Sequence, residues 1–376
     1  MNCIGIICEY DPFHNGHKYQ IDKIREKYKD SIIIAVMSTS FTQRGNLSIM
    51  NKWDKTKCAL NNGIDLVIEL PYSYTVQSSD IFAHYAVSIL NILDIDTLSF
   101  GIENDDINEI INNAKIQLNN KEFDTLVQKY LKDGLNYPTS LNNALKDLNG
   151  SIINSPNDLL ALSYIKEIIK NNYNIDIYSI KRTSNYHDTT SNDEIISSSN
   201  IREKLNNNID IKKYVPSDVY DLIKYHNYID KYFELLKYKI NSEKNLDQYL
   251  DVDEGLSTRI KKAILKSNNL EELIQNIKTK RYTYNKINRM LNHILCSYTK
   301  IENNSVKNID YIRVLGFNDK GKRYLSKINN PMILNKYDTS KYKVLDIEKR
   351  VSEIYSIIYE NIMEDEIKNK PIKKTD

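Results

Sequence analysis

Short runs of apolar, largely β-branched residues recur through the first half of the chain, and most are followed by a polar turn and then by apolar positions spaced three and four apart. The first run, C-I-G-I-I-C over Cys3 to Cys8, reads as a buried strand that Asp11-Pro12 breaks. Tyr19, Ile21, Ile24 and Tyr28 then fall mostly on one helical face, so a helix is predicted to open near Gly16. Residues 31–37, 64–70, 97–100 and 175–180 repeat the strand pattern. Helices are predicted over 51–62 with Gly63 at the C-cap, from an Asp80 cap through Leu93, and from a Ser155 cap. In that last helix Pro156 lies in the first turn, Asp158 reaches back, and Leu159, Leu160, Leu162, Ile165 and Ile168 face inward. The alternation predicts an α/β fold, a Rossmann-like parallel sheet covered on both faces. Residues from about 105 to 150 are polar and helical and read as an insertion on the sheet's rim. Past about 206 helices dominate, which divides the chain into 1–205 and a mainly helical 206–376. That second part carries a late strand at 311–317, an amphipathic helix over roughly 340–363 and a Lys-rich tail expected to fray.

Composition adds boundaries. A formal net charge of +2 over 376 residues advertises no global field for nucleic acid, so any basic surface is local. The 28 tyrosines beside 7 phenylalanines, in a chain crowded with Asn, Lys and Ile, read as codon bias, which weakens any motif built on Tyr or Lys alone. Cys3, Cys8, Cys58 and Cys296 form no C-x-x-C and no H-E-x-x-H occurs, so buried reduced thiols are expected, with no metal site and no disulfide framework. No apolar run approaches the roughly 18 residues of a membrane span and no leader pattern precedes the first strand; a cytoplasmic protein is expected.

Chemistry concentrates at three places. His14-Asn15-Gly16-His17 sits where a strand turns into a helix, and a helix start has free N–H groups and the positive end of the dipole, which favour an anion. Gly16 would admit a phosphate close to the backbone, and two imidazoles could follow charge moving across a phosphorus centre; the plainer reading is that one histidine merely caps the helix. Neutral imidazoles near the ordinary pKa of ~6.5 would suffice for this work. The second place is Ile196-Ser197-Ser198-Ser199-Asn200-Ile201-Arg202, where Ser197 and Ser198 open a helix and Arg202 offers a planar fork to phosphate oxygens. The third runs from Lys278 to Tyr284. Its Lys278, Lys280, Arg281, Tyr282 and Tyr284, with Lys286 and Arg289, fit contacts to RNA phosphates and stacking on unpaired bases, or else a solvated helix face. Gly101 and Arg182 end predicted strands and belong to the same sheet edge as the histidine turn.

H-N-G-H resembles the H-x-G-H signature of adenylyltransferases and class I aminoacyl-tRNA synthetases, and the serine cluster resembles their I-S-S-x-x-I-R element. The longer string Glu9-Tyr10-Asp11-Pro12-Phe13-His14-Asn15-Gly16-His17 resembles the tRNA(Met) cytidine acetate ligases. So do Phe41 to Gly45, Asp65 to Pro71, Gln77 to Asp80 and Lys278 to Tyr284 with Arg289. Asp11, Ile102 and Tyr284 depart from the pattern, standing where Asn, Ser and Trp are expected. The resemblance implies that ATP is contacted by Ile7, Cys8, Glu9, Tyr10, Asp11, Pro12, Phe13, His14, Asn15, Gly16, His17, Lys18, Tyr19 and Gln20, and by Gly101, Asn157 and Arg182. It further implies that His14, His17 and Arg202 act on the phosphates, that Mg²⁺ accompanies ATP, and that acetyl-adenylate is transferred to the wobble cytidine in the anticodon loop of elongator tRNA(Met). Two other readings stay open: a small-molecule adenylyltransferase of the same superfamily, and a non-catalytic RNA-binding protein.

Overall fold

The computed structural model describes residues 2–182, 193–223, 228–253, 255–359, 362–368 and 370–375. Seven strands form one sheet: β1 (Cys3–Cys8), β2 (Ile32–Ser38), β3 (Leu66–Leu70), β4 (Thr97–Ile102), β5 (Asp176–Lys181), β6 (Val314–Phe317) and β7 (Ile372–Lys373), in spatial order β5-β4-β1-β2-β3-β6-β7. β1 to β5 are parallel, with β1 flanked by β2 (Ile4 opposite Ile33) and by β4 (Ile4 opposite Thr97). Every residue of β2 and β3 is buried, as a strand covered by helices on both faces requires. The chain leaves β1 toward β2 on one side and returns to β4 on the other. The switch point of the sheet therefore lies beside the C-terminal end of β1, where open α/β sheets bind their ligands.

The second half of the chain is woven into this sheet. β6 pairs antiparallel with β3, and the tail, expected to fray, instead adds β7 in parallel to β6, so the division near 206 is not a division of the sheet. The single late amphipathic helix is two, Lys343–Ile358 and Met363–Lys368, and residues 360 and 361 between them lie outside the described residues. A one-turn helix, Tyr72–Thr75, follows β3, and the helix expected from Asp80 runs Ser79–Ile92 with Ser78 at the N-cap position, which places Asp80 in its first turn rather than at the cap. The rim insertion consists of helices Ile107–Asn119, Lys121–Lys132 and Tyr137–Asn149. Their Ile110, Phe123, Val127 and Leu145 join the same core as Leu162 and Ile165 of helix Pro156–Lys170. Ser155 caps that last helix through the Asp158 amide (3.1 Å), but the Asp158 carboxylate accepts from the amides of Glu103 and Asn104 instead of reaching back.

What fastens the late helices to the sheet is a buried cluster of charge. Lys52 Nζ donates to Glu69 (2.8 Å), Glu348 (2.9 Å) and Glu366 (2.9 Å), while Arg313 donates to Glu69 (3.3 Å) and Glu366 (2.6 Å). Burial drags Lys52 downward, yet the three carboxylates outweigh it and hold the ammonium charged. Burial pushes Glu348 up against the pull of Lys52, and the neighbouring Glu69 and Glu366 add to the rise. Deleting one partner of such a cluster strands a buried charge, at a cost of about 3–5 kcal/mol. Arg313→Met is expected to lower the unfolding free energy in urea by about that amount, and a loss indistinguishable from zero would mean that the cluster does not fasten the two halves.

Candidate active site

The turn after β1 is built by its own side chains. Tyr10 takes a left-handed backbone (φ 45°) and, with Phe13, packs edge-on at 4.8 Å; both are buried. His14 then caps helix Asn15–Lys27 reciprocally: its Nδ1 accepts from the Gly16 amide (3.0 Å), and His17 Nδ1 accepts from the His14 amide (3.2 Å). An Nδ1 that accepts carries no proton, so both rings are neutral Nε2–H tautomers. They stack at 3.8 Å. Burial, followed by the neighbouring His17, Arg182 and Arg202, holds His14 well below the ordinary imidazole range, and burial with Arg182 pushes His17 down to about 3. Neutrality is therefore built in, not left to a pKa near 6.5.

This cap changes what the helix start can offer. The amides of Asn15, Gly16, His17 and Lys18 are all spent, on Tyr214 O, His14 Nδ1 and, for the last two, His14 O. Gly16 also serves the ring rather than a ligand, because a Cβ there would lie 2.8 Å from His14 Cε1. Free amides are instead available on helix Ser198–Asn206. Ser197 caps it through Asn200 N (3.2 Å), leaving Ser198 and Ser199 without an intrahelical acceptor. Arg202 is held over the turn, donating to Asp11 O, Asp11 Oδ2 (3.3 Å) and Ser199 Oγ (3.2 Å). Asp11 Oδ1 in turn accepts from Ser48 Oγ (3.1 Å) and Ile49 N (2.7 Å), so the departure from Asn at this position produces an Asp–Arg pair.

A cavity of about 160 Å³ opens at this point. Of the residues named from sequence, it is lined by Ile7, Cys8, Glu9, Tyr10, Asp11, His14, His17, Gln20, Gly101, Asn157, Arg182, Ser198 and Arg202. His17, Gln20, Gly101 and Arg182 also border a recess of about 50 Å³ that reaches Gly16 and Tyr19. Pro12, Phe13, Asn15, Lys18 and Ser197 do not line the cavity. Pro12 and Phe13 are buried behind it, Lys18 pairs with Asp22, Ser197 is a cap, and Asn15 ties the turn to Glu194 O (3.1 Å) and Lys213 O (2.9 Å). Sequence reading singled out Phe41 to Gly45 without assigning it to the site and missed Asn46; Thr42, Gln43, Arg44 and Asn46 line the cavity from the loop after β2, and Phe82, Phe100, Leu160 and Tyr164, also unassigned, line it too. The loop's place at the C-terminal edge of the sheet was the available signal. Lys55 was missed as well. It is fully buried beneath the site and joins the ends of β1 and β2 by donating to Glu9 O and Ser38 O, both at 3.0 Å; burial pushes it down to about 8.

A second, larger cavity of about 1080 Å³ meets the first at Gln43, Arg44 and Leu160. One wall is the rim insertion from Leu131 to Asn142, and the other carries Arg281, Tyr282, Lys286 and Arg289; Lys278, Lys280 and Tyr284 do not line it. The positive charge of this wall is partly offset: Lys286 pairs with Asp253 (2.9 Å), and the Asp251 carboxylate supports the Arg289 guanidinium against the lowering by burial. Tyr284 donates to Glu271 (2.8 Å). Arg289 is half-buried rather than turned to solvent, because its helix, Tyr284–Leu295, closes on the loop after β2. Asn288 donates to Arg44 O (2.9 Å), and a Cβ on Gly45 (φ +82°) would meet the Arg289 backbone at 2.9 Å. Among the described residues no group of three His, Cys, Asp or Glu side chains is placed to hold a metal. The cavity's own carboxylates, Glu9 and Asp11, already accept from Gln43 N (2.6 Å) and from Ile49 N (2.7 Å) and Arg202, so these residues do not form a cage for Mg²⁺. All four cysteines are buried and free. No helix among the described residues is long and apolar enough to cross a membrane.

A parallel sheet carrying paired, proton-fixed imidazoles and an arginine-bearing helix start at its switch point defines an H-x-G-H nucleotidyltransferase, and the family model described as HIGH Nucleotidyl Transferase matches residues 1–370. Within that class the chain belongs to the tRNA(Met) cytidine acetate ligase family. It is 36% identical over 401 residues to the tRNA(Met) cytidine acetate ligase of Anoxybacillus flavithermus, covering 99% of this chain and 100% of the relative. With that of Bacillus subtilis it shares 34% identity over 383 residues, covering 95% and 92%. The crystal structure of Thermotoga maritima TmcAL bound with alpha-thio ATP superposes over 100% of both chains with a TM-score of 0.87 and 25% identity.

The neutral histidines set an acid limit. Each imidazole titrates near 6.5 when unfolded, whereas in the fold His17 is pushed down to about 3, as is His293, buried in helix Tyr284–Leu295 near Arg289, and His14 lies well below 6.5. The unfolded chain therefore binds more protons in that window. This stability is complete above pH 6.5 and is lost as pH falls, by up to about 1.4 kcal/mol per pH unit for each ring. Urea unfolding between pH 7 and 5 is expected to show the decline, with a shallower slope for His17→Gln.

Proposed function

We propose that the chain activates acetate with ATP and passes the acetyl group to the wobble cytidine of elongator tRNA(Met) in the cytoplasm. A carboxylate oxygen of acetate attacks the α-phosphorus, the bond to the β-phosphate bridge breaks, and pyrophosphate leaves with the electron pair. His14 and His17 donate through Nε2–H while remaining neutral, so they stabilise moving charge without exchanging protons. Arg202 and the amides of Ser198 and Ser199 hold the phosphates as charge shifts toward pyrophosphate. Gly101, Asn157 and Arg182 border the nucleoside. In the second step the exocyclic amine of cytosine attacks the acetyl carbonyl, AMP leaves, and the amine gives up one proton to yield N4-acetylcytidine. An anticodon-loop base is already unpaired and costs little to present. Arg281, Tyr282, Lys286 and Arg289 line the path by which it would arrive.

The single observation that carries this reading is the meeting of the two imidazoles, Arg202 and Ser198 on one cavity that shares Gln43, Arg44 and Leu160 with a larger one of about 1080 Å³. Purified protein given ATP, labelled acetate and total tRNA is expected to yield N4-acetylcytidine after nucleoside digestion. His14→Ala is expected to lower acetate-dependent pyrophosphate–ATP exchange about 100-fold or more, the usual consequence of losing a donor to a developing charge, while tRNA binding persists. Exchange that ignores acetate but responds to another small acceptor would favour the adenylyltransferase reading, and tRNA binding with no exchange at all would leave only an RNA-binding protein.

A further inference from the structure

The cavity's lining is of two unlike kinds. The imidazoles, Ser198 and Arg202, the last held by Asp11, supply donors suited to phosphate. Phe82, Phe100, Leu160 and Tyr164 offer a triphosphate or a ribose nothing to bind beyond Tyr164's hydroxyl. The three aromatic residues come from three rigid elements: helix Ser79–Ile92, β4 and helix Pro156–Lys170. They are 2%, 6% and 4% exposed, and the rings of Phe100 and Tyr164 are tilted against each other with centroids 5.8 Å apart. Such a wall is packed from behind by the main core and has little freedom to retreat.

Resting on the acetate-activating reading above, we propose that Phe82, Phe100, Leu160 and Tyr164 form the seat for the methyl group of the carboxylic acid and set its maximum size. Two features of the layout support this assignment. In-line attack places the entering carboxylate across the α-phosphorus from the departing pyrophosphate, and the apolar wall is the one not furnished for phosphate. The acyl carbon must then be reached by the second substrate, and Leu160 borders both the cavity and the large groove, as does Arg44. An acid held here has its methyl against the rings, its carboxylate toward the phosphates and its carbonyl at the neck where RNA enters. A longer acid would have to push a β-strand residue or two helix residues back into the core. Discrimination by one methylene in such a seat is roughly 10- to 200-fold.

The test is pyrophosphate–ATP exchange with formate, acetate, propionate and butyrate. The wild-type chain is expected to prefer acetate over propionate about tenfold or more. Phe100→Leu and Leu160→Ala should each raise the propionate-to-acetate ratio of kcat/KM about tenfold while the KM for ATP stays within about threefold. If Phe100→Leu does not fold, Leu160→Phe provides the opposite change from a half-buried position, with acetate exchange lost and formate exchange kept. Acetate-dependent exchange whose acid preference is the same in the wild type, Leu160→Ala and Leu160→Phe would overturn the seat while leaving the acetate reading intact. No acetate-dependent exchange by the wild type would overturn the acetate reading itself, and the seat with it.

Discussion

Two cations and three carboxylates, sealed from water between β3, the helix after β2 and the late helices, determine where the second half of this chain can sit. Neither cation can be removed without stranding carboxylate charge in a low-dielectric interior, so the cluster specifies one arrangement even where it adds little net stability. Its reach extends to the site. Glu348 also accepts from the Tyr72 amide (2.7 Å), and the same helix carries Tyr355, whose hydroxyl donates to Ser48 O (2.9 Å). From the other side Asn288 and Asn292 donate to Arg44 O, Asn46 Oδ1 and Gly45 O. The loop after β2 is thus gripped between two late helices, and that loop places Gln43 and Arg44 at the neck joining cavity and groove.

At the neighbouring turn the constraint is hydrogen-bond accounting. A helix start has more amide donors than acceptors, and this one resolves the surplus internally with two imidazole Nδ1 atoms and backbone carbonyls. The consequence is chemical, since each ring is left with a single donor, on Nε2, and burial keeps it neutral. Rings fixed in tautomer and stacked on each other lose little freedom when a phosphate arrives, which is the preorganisation that electrostatic catalysis needs. The amide contribution is transferred to Ser198 and Ser199 on a helix more than 180 residues later in sequence, pinned to the turn by Arg202 on Asp11.

Much of this was legible in the sequence because the responsible physics is local. β-branched runs, Pro156 after Ser155 and the H-N-G-H and S-S-S-N-I-R strings announce themselves within a few residues, so the five parallel strands and their helices fall within a few residues of the expected positions. What escaped depends on partners distant in sequence. Lys52 and Lys55 look like surface lysines in a Lys-rich chain, and Glu69, Glu348 and Glu366 for the one, and two strand-end carbonyls for the other, explain their burial. Gly16 was read as an opening for phosphate because nothing local says that a histidine ring will cover it. The Lys-rich tail was read as frayed because a two-residue strand has no periodicity to detect; it is ordered by the edge that β6 presents.

The two cavities also solve a problem of timing. Acetyl-adenylate is a mixed anhydride, so any water that reaches its carbonyl competes with cytosine, a weak nucleophile. In the proposed reaction a small cavity backed by buried rings would limit such access during the first step, and the groove lined by the rim insertion, Arg281 and Arg289 would be filled by the RNA. With a formal charge of only +2, the chain has no long-range field to hold RNA elsewhere, and part of the groove's positive charge is already spent on Asp253 and Asp251. In the proposed reaction the substrate that consumes the intermediate would also be the body that closes the site, which leaves positioning as the contribution this layout offers to the second step.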